Sequence, residues 1–301
     1  MNFIFTLLIA GLMTSTPAAS QAPGRPAAGA VFAKNNIVAW CIVPFDVKKR
    51  GPEERARMLD RLGITRFAYD WRDEHVSSFD AEMDVLPKHH IALSAFWMPY
   101  GPDPTSSVHY ATILSLLKRH HLRTQLWWSY GSSDDGLKDL TQEQKVARIV
   151  AVVRRLSDDA AAIGCTVGLY NHGGWFGEPE NELSILDAVR RSNVGIVYNF
   201  NHAEEQTDRF RAFFPKILPH LIAVNIAGLR RGDPGRVVAV GEGDSEREMI
   251  RQIGESAYDG PLGIINENTD PDAEQGLLKN MKGLRGILTE LGYTAALRTY
   301  R

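Results

Sequence analysis

Eight short runs rich in β-branched and aromatic residues alternate with stretches of helical hydrophobic spacing, and this alternation restricts the chain to a parallel sheet covered by helices. Strands are expected at 37–44, 65–69, 92–97, 123–128, 166–171, 194–200, 221–226 and 261–266. Helices are expected at 52–62, 80–89, 106–120, 142–163, 181–191, 207–218, 245–256 and 273–291. Pro52 opens the first helix and Gly63 closes it, while Ile149, Val152, Val153 and Leu156 share one side of the fourth. No Ser/Pro-rich boundary divides these units, so residues 35–301 read as one domain, a single (β/α)8 TIM barrel. An open doubly wound sheet shares the alternation; the missing glycine-rich phosphate turn after the first strand counts against it.

The N-terminus has another character. Residues 3–13 are almost wholly apolar, too short to span a bilayer, and are followed by Pro17-Ala18-Ala19-Ser20. Residues 1–20 therefore read as a cleavable signal peptide, with 21–34 a flexible lead-in, and the chain as exported to a periplasmic or extracellular compartment. A buried helix is the alternative, because no Lys or Arg precedes the apolar run. No other segment reads as an integral membrane span. The formal net charge of −2 carries no basic footprint, which argues against nucleic acid as a partner. Cys41 and Cys165 lie in apolar strand-like runs and read as core thiols, not as a disulfide.

The strand tips converge at the C-terminal mouth of such a barrel, where chemistry is carried. Four of them end in amides and rings: Tyr170-Asn171-His172, Asn199-Phe200-Asn201-His202, Asn225 and Asn266-Glu267-Asn268. Beyond the second strand comes Asp70-Trp71-Arg72-Asp73-Glu74-His75, which is either part of the site or a solvated turn opening the next helix. Trp71, Trp97, Trp127, Trp128 and Trp175 fall at or beyond strand ends, where flat apolar faces stack on sugar rings and amides bind hydroxyls. Trp127 or Trp128 is expected in the core and Trp40 at the barrel wall. Gly241-Glu242-Gly243-Asp244 enters a helix and, by itself, points only weakly to phosphate.

Gly168-Leu169-Tyr170-Asn171-His172-Gly173-Gly174, Asn199 to His202, Val224-Asn225, the Gly241 turn, and Tyr258-Asp259-Gly260-Pro261-Leu262-Gly263-Ile264 together resemble the xylose-isomerase-like barrels. That family includes sugar isomerases, sugar-phosphate epimerases and lyases. The resemblance implies a divalent metal held at positions 170, 199, 225 and 265, where the family has Glu, Asp, His and Glu. This chain has Tyr170, Asn199, Asn225 and Ile265 there. Neutral amides are weak substitutes for carboxylates toward hard cations, so no metal is expected at the family position. A relocated site built from His172, His202, Glu267 and Glu74 is the competing possibility.

The expected ligand is a small carbohydrate: a free sugar, keto-sugar or glycoside. Two classes of function remain. In one, Glu267, His172 or His202 acts as acid or base, while Tyr170, Asn171, Asn199, Asn225, Asn266, Trp71, Asp73, Glu74, His75, Trp97 and Trp175 bind the substrate. In the other, the barrel binds a carbohydrate without converting it.

Overall fold

In the computed structural model, residues 27–231, 237–267 and 269–301 are described. The proposed signal peptide and Asn268 of the eighth tip lie outside them. Eight parallel strands close into a barrel: β1 Ile37–Trp40, β2 Arg66–Tyr69, β3 Ala92–Trp97, β4 Gln125–Trp128, β5 Thr166–Tyr170, β6 Val194–Asn199, β7 Leu221–Ile226 and β8 Leu262–Ile265. β8 closes on β1 in register, Ile37 opposite Leu262 and Trp40 opposite Ile265. The major helices are α1 Pro52–Leu62, α2 Phe79–Val85, α3 Val108–Arg119, α4 Gln142–Ala162, α5 Pro179–Val189, α6 Phe210–Ile217, α7 Glu246–Glu255 and α8 Ala273–Glu290.

Most differences from the expected boundaries have local causes. α2 stops at Val85 because Pro87 lacks the N–H the next turn needs, and Pro87–His89 continues as a 3-10 turn. β1 ends at Trp40, since Cys41 takes a left-handed φ of 56°, which turns the chain out of the sheet. After β7, Gly228–Leu229 pairs antiparallel with Val237–Val238, a small ladder that strand spacing does not anticipate. The described part of the lead-in is ordered as 3-10 turns at Ala30–Phe32 and Lys34–Asn36, with the Phe32 ring stacked on Tyr293. Among the described residues, no helix is long and apolar enough to cross a membrane.

Side chains alternate along each strand, so the barrel has two apolar layers. Ile37, Ala39, Phe67, Tyr69, Leu126 and Trp128 face the helices. Val38, Trp40, Ala68, Ala95, Trp127, Tyr170, Val197, Ala223 and Ile265 fill the lumen. The wide rings fit because facing positions are small. A Cβ at Gly168 would collide with Val197 and Trp127, and one at Gly263 with the Asn225 amide. Cys41 and Cys165 are free, buried thiols.

Outside the lumen, buried charge fixes the loops to the helices. Arg55 of α1 pairs with Glu82 of α2, both nearly inaccessible. Arg50 binds Asp46 and Asp272 at 2.7 Å each, tying the loop after β1 to the start of α8. Pairs of this kind are costly to break from one side.

Candidate functional site

The C-terminal mouth opens into a cavity of about 480 Å³. Trp40, Trp97 and Tyr170 line its apolar part; ring centroids lie 5.8 Å apart for Trp40–Trp97 and 4.8 Å for Trp97–Tyr170. Trp40 thus belongs to the site, not to the wall packing expected for it: two residues beyond Val38, it shares that residue's inward face. Trp71 lies at the rim, only 7% exposed, its indole N–H donating to the Trp97 carbonyl at 2.8 Å. Tyr100, 52% exposed, offers an open ring face beside His172, with centroids 5.3 Å apart. Trp127 and Trp128 are both core, the first in the lumen and the second outside it.

Titratable groups border the rings. Asp70, Glu267, His172 and His202 all line this cavity, and the Cys41 thiol lies close enough to both acids to feel their charge. Burial raises the Glu267 pKa, opposed by the Arg72 guanidinium. Burial pushes Asp70 up to about 7, again against Arg72. The two imidazoles pack at 3.9 Å between centroids. Burial lowers both, and with His172 beside it His202 falls to about 3. Both are therefore neutral at ordinary pH, which makes them poor proton donors.

Several expected binding residues have other work. The Asn171 amide ties β5 to β6, donating to the Asn199 carbonyl at 3.0 Å and accepting from its N–H at 2.6 Å. Asn266 points away from the lumen and donates to the Phe45 and Asp270 carbonyls at 3.0 and 3.2 Å. Both follow an inward residue, so alternation turns them outward. Glu74 is exposed on a 3-10 turn, and His75 caps that turn by accepting the Arg72 N–H at 3.0 Å; neither lines the cavity. Asp73 reaches the rim, but its side chain is 88% exposed and pairs with His109 at 3.4 Å. Trp175 donates to Gln142 at 2.8 Å and packs near Lys145, outside the cavity. Sequence reasoning missed Trp40 and Tyr100 as site residues, and it placed Asp70 and Arg72 only within the Asp70–His75 cluster, without a role for either. For Asp70 the available signal is parity with Ala68, two residues earlier.

The family's metal position can be tested against the groups standing there. The Tyr170 hydroxyl accepts from Trp40 Nε1 at 3.0 Å and from Asn199 Nδ2 at 2.5 Å. Asn199 Oδ1 is taken by the Asn201 N–H at 3.0 Å. Asn225 stands beside the same hydroxyl, close enough to lower its pKa, although neither amide atom makes a well-formed hydrogen bond among the described residues. Ile265 packs in the lumen cluster. Two neutral amides, a phenol and an alkyl group, with no carboxylate or imidazole among them, do not suit a divalent cation. The relocated arrangement is not assembled either: Glu74 lies out on the rim turn, and among the described residues no three His, Cys, Asp or Glu side chains converge as metal ligands.

A second cleft of about 670 Å³ adjoins the first, sharing His172 and His202 and extending past Glu204, Arg230 and Arg231. The glycine-rich turn beyond it does not offer an anion site. Gly241 and Gly243 N–H donate to Glu246 Oε1 at 3.0 and 2.9 Å, and Leu229 N–H donates to Oε2 at 3.2 Å. The chain's own carboxylate fills the amide cradle.

A closed parallel barrel with an aromatic cavity and carboxyl groups at its C-terminal mouth has the architecture of the barrel enzymes. The chain belongs to the xylose isomerase-like TIM barrel family, whose model matches residues 112–287. Similar solved structures include apo 3-keto-D-glucoside 4-epimerase from E. coli, 14% identical with a TM-score of 0.63, over 85% of this chain and 99% of that one. The IolI protein with a bound zinc atom is 15% identical with a TM-score of 0.65, over 84% and 98%. D-allulose 3-epimerase from Methylomonas sp. in complex with D-allulose is 15% identical with a TM-score of 0.60, over 84% and 97%. At these identities the likeness is one of fold. No curated protein sequence matches significantly.

Proposed function

We propose that the chain is a carbohydrate-active barrel that acts on an uncharged, carbonyl-bearing sugar by acid/base chemistry, without a cation at the family metal position. The observation that carries this reading is the cavity of about 480 Å³ with Trp40, Trp71, Trp97, Tyr100 and Tyr170 on one part of its wall and Glu267 on another. Aromatic faces suit the C–H faces of a sugar, and burial, which raises the Glu267 pKa, makes its carboxylate a stronger base than a free one. The names of two structural neighbours, a 3-keto-D-glucoside 4-epimerase and a D-allulose 3-epimerase, favour a keto-sugar.

Glu246 supports the choice of an unphosphorylated substrate, because it occupies the backbone amides that a phosphate would use. The adjoining cleft gives a glycoside room for its second group. The reading includes export with cleavage after Ser20, tested by the mass of the secreted protein, which should begin at Gln21.

A thermal-shift screen with free sugars, keto-sugars and their phosphates tests the ligand class. Keto-sugars should raise the melting temperature; stabilisation by the phosphates alone would refute the reading. A barrel that binds sugar without converting it is the second reading, favoured by the neutral groups at 170, 199, 225 and 265. Its signature is sugar binding with no turnover, unchanged in Glu267→Gln.

A further inference from the structure

We propose that Asp70 is the general acid of this cavity, giving a proton to the carbonyl oxygen of a keto-sugar while Glu267 removes a proton from the adjoining carbon. The proposal rests on the keto-sugar reading above and assigns that site its electrophile.

Asp70 is buried without a good partner. The residue is 3% exposed, and neither carboxyl oxygen accepts a well-formed hydrogen bond among the described residues; the backbone N–H groups of Asp70 itself and of Val43 approach it and act only to lower its pKa in part. Buried polar groups are nearly always paired, so an orphaned carboxyl needs a reason. Other buried acids illustrate the usual arrangement: Glu82 has Arg55, Asp46 has Arg50, and Glu246 has three amides. Glu182 is also unpartnered, but it sits on α5 and lines neither cavity. Asp70 lines the inner cavity together with Glu267, Cys41 and Tyr170. Strand parity directs it inward, because Ala68 belongs to the lumen cluster and Asp70 follows two residues later.

Its surroundings keep the proton within reach. Burial raises Asp70 to about 7, while Arg72, Arg55 and the backbone N–H groups of Asp70 and Val43 act in the opposite sense. Cys41 and the Tyr69 phenol are the other titratable groups near enough to feel its charge, and burial leaves both thiol and phenol neutral. Asp70 is thus part acid and part carboxylate near neutral pH. A neutral carboxylic acid held in an apolar wall can do for a developing enolate what a cation does elsewhere.

The step balances without any further reactant. Glu267 carboxylate takes the proton from the carbon beside the carbonyl, and that C–H electron pair becomes the C=C bond of an enediol. The carbonyl π pair moves onto oxygen and takes the proton of Asp70, leaving Glu267 protonated and Asp70 ionised. In the return half, Asp70 takes the proton from the neighbouring hydroxyl, whose pair forms the new carbonyl. The C=C pair then takes the proton from Glu267. The sugar has isomerised and both carboxyls are restored.

The test follows exchange in D2O with D-allulose, D-fructose and a methyl 3-keto-D-glucoside, comparing wild type, Asp70→Asn and Glu267→Gln. Sugar-induced thermal shifts report folding and binding; Asp70→Ser replaces Asp70→Asn should the latter not fold. The expected result is deuterium at the carbon beside the carbonyl with wild type. Asp70→Asn should bind with little change in KM and lose about 10²–10⁴-fold in kcat, the range for a positioned general acid. The wild-type rate should fall as pH rises through about 7, a limb missing from the variant's residual rate.

Exchange by Asp70→Asn within about threefold of wild type, with the same high-pH limb, overturns the role of Asp70 and leaves the keto-sugar reading standing. Binding without exchange by wild type overturns both.

Discussion

Replacing Asp70 with Asn removes a buried charge while keeping the shape, so it measures what the cavity does to that carboxyl independently of any substrate. In the folded chain Asp70 titrates at about 7, against 3.8 for the free side chain. Below about pH 4 both folded and unfolded forms are protonated, and the residue adds no pH dependence. Between about pH 4 and 7 the unfolded chain releases the proton while the folded one retains it, so wild-type stability falls as pH rises; above 7 the effect is complete. The full difference is worth about 4 kcal/mol at 1.36 kcal/mol per pH step. The amide introduced by Asp70→Asn does not titrate and carries no such dependence.

The Asp70→Asn protein should therefore gain on wild type by up to about 4 kcal/mol between pH 4 and 8. At about 2.1 cal/mol/K of unfolding entropy per residue over the chain, this is roughly 6 °C or slightly more in Tm. Urea or thermal unfolding of both proteins at pH steps across that range provides the measurement. Parallel curves would refute the reasoning, for they would mean that Asp70 ionises as freely in the folded protein as in the unfolded one.

Three further outcomes are expected. Tyr100→Ala should leave stability within about 0.5 kcal/mol, since the ring is largely exposed, yet weaken keto-sugar binding by about 0.5–1.5 kcal/mol as read by calorimetry. Glu246→Ala should cost about 1–3 kcal/mol in urea unfolding, because Gly241, Gly243 and Leu229 lose their common acceptor. Arg55→Ala should cost about 3–5 kcal/mol by leaving Glu82 buried without its partner, while a paired Arg55→Met, Glu82→Leu change should recover much of that loss.

The barrel is legible in the sequence because apolar periodicity must switch between strand and helix wherever one layer covers another. β3 and β7 fall at their expected limits, and α1 does so because Pro52 and Gly63 mark both ends. At the mouth, each strand tip reads as a block in sequence although its residues face opposite ways. Tyr170 is inward and Asn171 outward; Glu267 lines the cavity and Asn266 does not. The same parity places Trp40 and Asp70 inside, and it is available from Val38 and Ala68. Other features depend on distant partners. Nothing local to the Gly241 turn shows that Glu246 fills its amides, and nothing beside Trp175 shows that Gln142 holds its indole.

The central claim is that proton transfer at this mouth proceeds without a cation at the family position. Its most direct measurement pairs elemental analysis of chelator-treated protein with deuterium exchange into D-allulose and a methyl 3-keto-D-glucoside. The account predicts undiminished exchange with far less than one metal ion per chain, and no gain on adding manganese, zinc or magnesium. Exchange that vanishes with the metal and returns at one ion per chain would contradict it.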